Sequence, residues 1–595
     1  PVHRIYQGWG EPAGFSGHFV LQYPDNSKLV DFGVFSKETK NEHGTVAKGG
    51  RIGAWLTFAG KSNEQIELHT ASSFTSKENV MNNMEVELAG GDFGAVMASA
   101  QDLWCERLHT IDVESKDTAK VNQFYGALYR ASFLPREMSD CNGDHPSFAK
   151  GKVVHSIRSQ EERLMDSSLF TLHSSLSKVY GDFSMWDIYR AELPLYNIIT
   201  PEMSGDMMQS LVNMYKEGGW LPIFPCWNSY TAAMIGDHAS VALADAYVKG
   251  NRNFDAKTAY EGMRKNAFES PKTFEEYKNG MGRRALKAYL KYSYIPMEDS
   301  VKEAFHQNEQ TSRTLEYAFD DFAVAQMARA LSESIPIAKR ENQDVALYRK
   351  ALLSDYSKLM RRSENWRNVI NPKTGWADGR HQNGKWEGNL DLVHRKSYIT
   401  EGATCHYTWY VPQNVEGLFR TMDGNVIARL DKMFDEGLYW HGNEPCHQVA
   451  YLYDAAGAPW KTQERVHHIL TTEYNDTPGG LSGNDDAGQM SAWYIFSAIG
   501  FYPVCPATPY YYIGAPSFDK VTFNLENGEK FEITAEGVSD EAFYVQKAVL
   551  NGMPLLKGGK RSDDEGCKDY LLSNGDIFLG GKLHFVMDTQ PVVEK

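Results

Sequence analysis

The sequence predicts a multidomain protein with a β region at each end and a long helical array between them. Two changes of period carry that prediction. Up to about residue 111 the apolar runs are short and alternating, as in "GHFVLQYP", "KLVDFGVF", "RIGAWLTF", "QIELHTASSF" and "IDVES". From Lys116 the period lengthens, and "TAKVNQFYGALYRASF" sets Val121, Phe124, Tyr125, Leu128 and Tyr129 on one helical face. After Pro506 strands return in "TPYYYIGAP", "KVTFNLEN", "KFEITAEG" and "KLHFVMDTQ". Length is the third observation, because 595 residues exceed what one hydrophobic core usually organises.

Residues 1–112 read as the N-terminal β domain and 113–135 as a helical linker. Between 136 and 505 the helical candidates are 185–199, 205–217, 231–248, 254–266, 273–292, 311–335, 343–365, 404–420, 425–437, 446–456, 460–474 and 487–499. Helices joined by loops of unequal length, with almost no strand signal, fit a closed α/α barrel or an α-solenoid. No repeat of fixed period supports the solenoid. Residues 506–595 are expected to form a small β domain or to complete the first one. The opening "PVHRIYQGWGEP" has no Met and no apolar leader, so a removed signal peptide or a partial N-terminal domain is expected.

Composition narrows the function. A formal charge of −16 argues against a nucleic-acid-binding face, and no stretch approaches the roughly 18 apolar residues of a membrane helix. The seven cysteines include no C-x-x-C pair, so neither a structural zinc site nor a disulfide framework is indicated. A P-loop and a dinucleotide turn are both missing from the motifs. Aromatic residues make up 12% of the chain, and flat amphipathic rings suit sugar-binding surfaces as well as cores.

Three acidic, glycine-bearing loops each open a predicted helix: "SYITEGATCHYTWYVPQN", "HGNEPCHQVAYLYDAAG" and "GGLSGNDDAGQMSAWYIFSAIGFYP". Glu401, Glu444 and Asp486 stand in them. Singly, each loop reads as a helix start capped by Thr400, Asn443 or Asp485. Together, three such loops in one helical array can bring their acids to one mouth, and glycosidic hydrolysis needs one carboxylic acid and one carboxylate. A helix N-terminus favours the ionised form, so a general acid there needs burial or a second carboxylate to keep its proton. "SMWDIYR" sets Trp186, Asp187 and Arg190 within about one turn, as an ion pair beside a packed ring or as a ligand-holding set. Trp220, Trp227, Asn228, Asp237 and His238 lie in a proline-stiffened stretch that reads equally as an inter-helix turn or a binding wall. Glu444, the Pro445 carbonyl, Gln448, Asn484, Asp485 and Asp486 offer oxygens that suit a hard cation such as calcium. His441, Cys446 and His447 match no zinc template.

The motifs "SMWDIYR", "GGWLP", "TLEYAFDD", "YITEGATCHYTWYVP", "GNEP", "YLYDAAGAPWKTQERV" and "GNDDAGQMSAWYIFSAIGFYPVCP", in that order from about Gln123 to Pro516, closely resemble glycoside hydrolase family 92. That family comprises calcium-dependent, exo-acting α-mannosidases. The resemblance implies an N-terminal β-sandwich (1–112, partial), a helical linker (113–135), an (α/α)6 barrel (136–505) and a C-terminal β segment (506–595). It implies inversion, with Glu401 as general acid and Asp486 as general base. Asn484 replaces an Asp of some members, so Asp486 would act more nearly alone. Trp186, Asp187 and Arg190 match the family's W-D-x-x-R and would line the pocket for the terminal mannose, with Asn443, Glu444, Asn484 and Asp485 also on the substrate side. Glu444, Pro445 and Gln448 would bind Ca2+. Asn443 stands where α-1,2-selective members carry His, which argues against strict α-1,2 preference. Mannose-containing glycans, N-glycans or mannans, are the implied partners, and a periplasmic or extracellular setting is the implied location. Another (α/α)6 glycosidase, a glycoside phosphorylase, a non-catalytic glycan-binding protein and a solenoid scaffold are the alternatives.

Overall fold

The computed structural model describes residues 16–23, 28–37, 40–88, 90–155, 178–301, 303–335, 343–422, 424–557, 560–561 and 571–593. The opening stretch, on which the leader reading rests, lies outside them. Strand β1 (His18–Gln22) pairs antiparallel with β5 (His69–Ser73), and β2 (Leu29–Phe35) forms the centre of a sheet with β3 (Lys40–Glu42) and β4 (Gly53–Phe58). The strand reading of this region then meets a correction. Residues 77–108 are two helices, α1 (Lys77–Leu88) and α2 (Phe93–Leu108). Helix α1 buries Asn79 and Asn83 beside Val80 and Met84, so half of its inward face is polar and the apolar period is hidden. Its asparagines are satisfied by one carboxylate: Asp140 accepts from Asn79 Nδ2 at 3.0 Å, Asn83 Nδ2 at 2.8 Å and Ser73 Oγ at 2.9 Å. That cluster ties the N-terminal region to the helical middle.

Strand β6 (Ile111–Glu114) belongs to a different sheet. It pairs antiparallel with β7 (Lys520–Asn524), Val113 opposite Val521, and so the 112/113 division falls inside a strand. Helix α3 (Thr118–Arg130), capped by Asp117, buries Phe124, Ala127 and Leu128. Val121 and Tyr125 pack at the edge of the core, while Tyr129 is exposed.

In the helical middle, elements buried on every side alternate along the chain with elements buried on one face. Glu192–Ile199, His238–Val248, Gln310–Ser334 and Gln489–Ile499 are buried over most or all of their residues. Pro201–Gly218, Ala256–Phe268, Gln343–Arg362 and Pro459–Thr472 bury a single stripe. Several expected helices are interrupted. The 273–292 span splits into Phe274–Lys278 and Leu286–Tyr292, with Gly280 and Gly282 at φ of 85° and 71° between them. The 404–420 span splits at Pro412 into Thr404–Thr408 and Val415–Phe419, as a proline without N–H demands. The 446–456 span is mostly 3-10 turns before Leu452–Ala455.

Apart from Tyr510–Ile513 and Leu571–Ser573, which pair with each other in a separate sheet, the described C-terminal strands are β7, β8 (Lys530–Glu536), β9 (Tyr544–Leu550), β10 (Met553–Lys557), β11 (Lys560–Arg561) and β12 (Gly581–Asp588). With β6 they make a seven-stranded sheet in the order β11-β10-β9-β12-β8-β7-β6, of which only β8 and β12 run parallel. Alternation puts Phe531, Ile533 and Ala535 of β8, and Leu583, Phe585 and Met587 of β12, against the core. Gln463 Oε1 accepts from Val545 N at 3.0 Å and holds the sheet to the helix Pro459–Thr472.

Candidate active site

Three loops between helices meet as the sequence led us to expect, and glycines allow the closest of the contacts. Gly483, at φ 76°, sits so near Gly442 that a Cβ there would lie 3.0 Å from the Gly442 carbonyl oxygen. Asn443 Nδ2 donates to the Glu401 carbonyl oxygen at 3.3 Å, joining the second loop to the first. Tyr398, Ile399 and Ala403 anchor the first loop in the core, and Leu481 and Ala487 pack the third against it.

On that frame the carboxylates of Asp187, Glu444 and Asp486 converge, with one oxygen from each within 4.8 Å of the others. Asp187 and Glu444 are buried and Asp486 half-buried. Asp187 accepts from the Ser184 hydroxyl, and Glu444 Oε1 is buried without a hydrogen-bond partner. Burial first, and then the mutual repulsion of the group, push the carboxyls of Asp187 and Glu444 well above the usual carboxylate range. Burial also raises Asp486, which is hydrogen-bonded to Glu444. Glu401 is exposed and close enough to add to the negative field on Asp187.

Arg190, buried beside this group, is oriented by stacking: its guanidinium lies 4.9 Å from the Trp186 ring, 4.8 Å from Tyr189 and 5.3 Å from Tyr410. Its Nε donates to the Trp186 carbonyl at 2.9 Å, and its Nη2 has no partner. The surface ion pair offered for Asp187 and Arg190 is therefore not what forms. None of the three expected side-chain caps forms at the N-cap position. Ala403 rather than Thr400 stands at the N-cap of Thr404–Thr408, and Asn443 makes no side-chain cap. Gly488 rather than Asp485 stands at the N-cap of Gln489–Ile499; Asp485 accepts from Ser491 N in the first turn at 2.9 Å and faces Arg130 at 3.9 Å, outside the group of three. Asn484 is exposed at the tip of its loop, and Gln448 is buried with Nε2 unpartnered.

Other expectations resolve as packing. Asp237 pairs with Arg283 at 2.9 Å, Asn228 Nδ2 donates to the Ser147 carbonyl at 3.0 Å, and the Trp220 peptide N–H donates to Tyr230, so that stretch is an inter-helix turn. His441 lies between the hydroxyls of Tyr439 and Tyr474, at 2.8 and 2.6 Å. Burial presses His441 well below its ordinary range and His447 down to about 3, so both are neutral packing rings. Sequence reasoning passed over Trp440, 43% exposed with its indole against Gly442, and gave no role to Glu316 or Tyr407. Three acids, Glu316, Asp320 and Asp321, set among the apolar residues of "TLEYAFDDFAVA" were the available signal.

Converging carboxylates, an oriented guanidinium and aromatic rings, set among loops of a helical array, are the groups a polyol-handling site uses. The match to the glycosyl hydrolase family 92 catalytic domain runs over residues 79–589, and the chain belongs to that family. It superposes on an inverting family 92 mannosidase of Bacteroides thetaiotaomicron with a TM-score of 0.83 at 29% identity, covering 99% of this chain and 75% of that one. A family 92 α-mannosidase of the same organism gives 0.80 at 30% identity, covering 99% and 73%. An uncharacterized secreted glycosidase of Arthroderma benhamiae is 25% identical over 541 residues, and the chain spans 60% of that relative's length.

Proposed function

We propose that the protein is an exo-acting α-mannosidase that removes terminal α-linked mannose from glycans with inversion. The observation that carries this reading is the convergence of Asp187, Glu444 and Asp486 beside the Glu401 loop in a family 92 chain. Glu401, exposed at the cleft, donates a proton to the glycosidic oxygen. Asp486 takes a proton from the water that attacks the opposite face of the anomeric carbon, and the configuration inverts. Trp186, Asp187 and Arg190 hold the non-reducing mannose, and Asn443, Glu444, Asn484 and Asp485 act on the substrate side. The alternation of fully and half-buried helices supports an (α/α)6 barrel. The printed description of the Arthroderma relative as secreted supports an extracellular or periplasmic setting.

The donor chemistry fits a hard cation. Three carboxylates and an orphaned Glu444 oxygen lie where an all-oxygen calcium site is wanted, with Pro445 and Gln448 following in the same turn. Asp187 and Asp486 join Glu444 in the set that would hold it. When bound, calcium supplies the positive charge that these repelling acids lack.

Incubation with α-1,2, α-1,3, α-1,4 and α-1,6 mannobiosides, with calcium and after chelation, tests the reading by NMR of the first-formed product. Calcium-dependent release of β-mannose is expected. Release of α-mannose first, or none from any linkage, overturns it.

A further inference from the structure

Behind the short helix Met185–Ile188, which carries Asp187, lies a second polar assembly, sealed from solvent. Its centre is Glu316 on the helix Gln310–Ser334. Glu316 Oε1 accepts from Trp186 Nε1 at 2.8 Å and from the Tyr407 hydroxyl at 2.8 Å. Its other oxygen faces His238 Nε2 at 3.3 Å, and His238 Nδ1 faces Asp320 Oδ1 at 3.0 Å, one turn along from Glu316. The imidazole stacks on Tyr189 at 4.1 Å and 16°, and the Tyr189 hydroxyl meets that of Tyr410. Both donors to Oε1 are next to groups of the site. Trp186 immediately precedes Asp187, and Tyr407 lies on the helix Thr404–Thr408 that follows Glu401.

We propose that Glu316 is a positioning residue for the hydrolytic reaction, a clamp whose single oxygen fixes the short helix Met185–Ile188, which carries Asp187, relative to the Glu401 loop. The inference rests on the function proposed above and adds a role that neither the motifs nor the acids of the cleft assign. A clamp of this kind matters because a displacement of about 1 Å at a catalytic group costs on the order of 100-fold in rate. The charge on Glu316 is secondary to its acceptor. In Glu316→Gln the carbonyl oxygen still accepts from Trp186 and Tyr407. The other oxygen of Glu316 and both His238 nitrogens are without a hydrogen-bond partner, so the two bonds that make the clamp are the ones preserved.

The test measures kcat and KM of wild type, Glu316→Gln, Glu316→Leu and Tyr407→Phe on a mannobioside, together with hydrogen exchange across 185–190 and 401–408. The clamp predicts that Glu316→Gln stays within about threefold of wild type, while Glu316→Leu loses on the order of 100-fold in kcat. Tyr407→Phe should lose about tenfold in kcat with little change in KM, and nothing further when added to Glu316→Leu. Exchange should rise in both segments together in Glu316→Leu. Equal loss in the Gln and Leu variants would mean that buried charge matters and the clamp does not, and wild-type kinetics in Glu316→Leu would also overturn it. Should the Leu variant fail to fold, Tyr407→Phe with unaltered kcat is the overturning result. Failure of the wild type to release mannose would refute the proposed function alone; the paired rise in exchange then decides the clamp.

Discussion

At Glu401 and Asp486 the backbone takes φ of 50° and 47°, a left-handed conformation that costs a non-glycine residue about 1 kcal/mol or more. The two residues read as acid and base share this strain. Substitution can therefore remove chemistry without removing shape, since Asn tolerates the left-handed region. Asp486→Asn is expected to abolish turnover of every mannoside while sparing binding. Glu401→Gln is expected to lose at least about 100-fold on a mannobioside and much less on an aryl mannoside, whose leaving group needs little protonation. Steady-state kinetics on the two substrate classes check both. The crowding of Asp187, Glu444 and Asp486 has its own consequence. Calcium at about 100 times its Kd should stabilise the wild type by roughly 2.7 kcal/mol, and Glu444→Gln should gain much less. Thermal melts with calcium and with chelator read the difference directly. The sequence displayed Asp187, Glu401, Glu444 and Asp486 because motif spacing is local. It withheld the link of Glu316 to Trp186, since 130 residues separate the partners and no short pattern encodes a bond across that distance.

Among the elements, legibility followed the kind of residue each one buries. Helices with an apolar stripe, such as Pro201–Gly218 and Pro459–Thr472, begin and end within a few residues of their expected bounds. Helix α1 is hard to see in the sequence because it buries asparagines, and none of the residues of α2 is buried. The Asp140 cluster that explains α1 is also its weak point. Asn83 donates to Asp140 and to the Ser72 carbonyl at 2.9 Å, and accepts from Cys141 N at 3.0 Å. Asn83→Ala strands all three groups and is expected to destabilise the N-terminal attachment by about 1–3 kcal/mol. Urea unfolding with limited proteolysis reads this as earlier cleavage near α1, with the helical middle intact.

For the molecule as a whole, buried charge sets the pH range of stability. Burial alone would press the His238 imidazole down, yet Asp320 and Glu316 hold it up at about 9, above the 6.5 of an unfolded chain. Stability from this ion is complete below about 6.5 and is lost as pH rises through about 9. Asp320 is raised by burial to about 6, so it is ionised throughout the upper part of that window and adds no slope there. The expected outcome is a falling melting temperature between pH 7 and 9 in wild type, and a flatter profile in His238→Gln, measured calorimetrically in chelator.

Strand β6 has a consequence in time. Its partner β7 lies about 400 residues further along the chain, so a ribosome adding 5–20 residues per second delivers the second strand roughly 20–80 s after the first. Throughout that interval the nascent polypeptide carries a strand edge with nothing beside it, while the helical middle emerges and condenses. The seam between β6 and β7 therefore closes late, and slow elongation lengthens the period in which that edge is open to chaperones or to neighbouring chains on the same message.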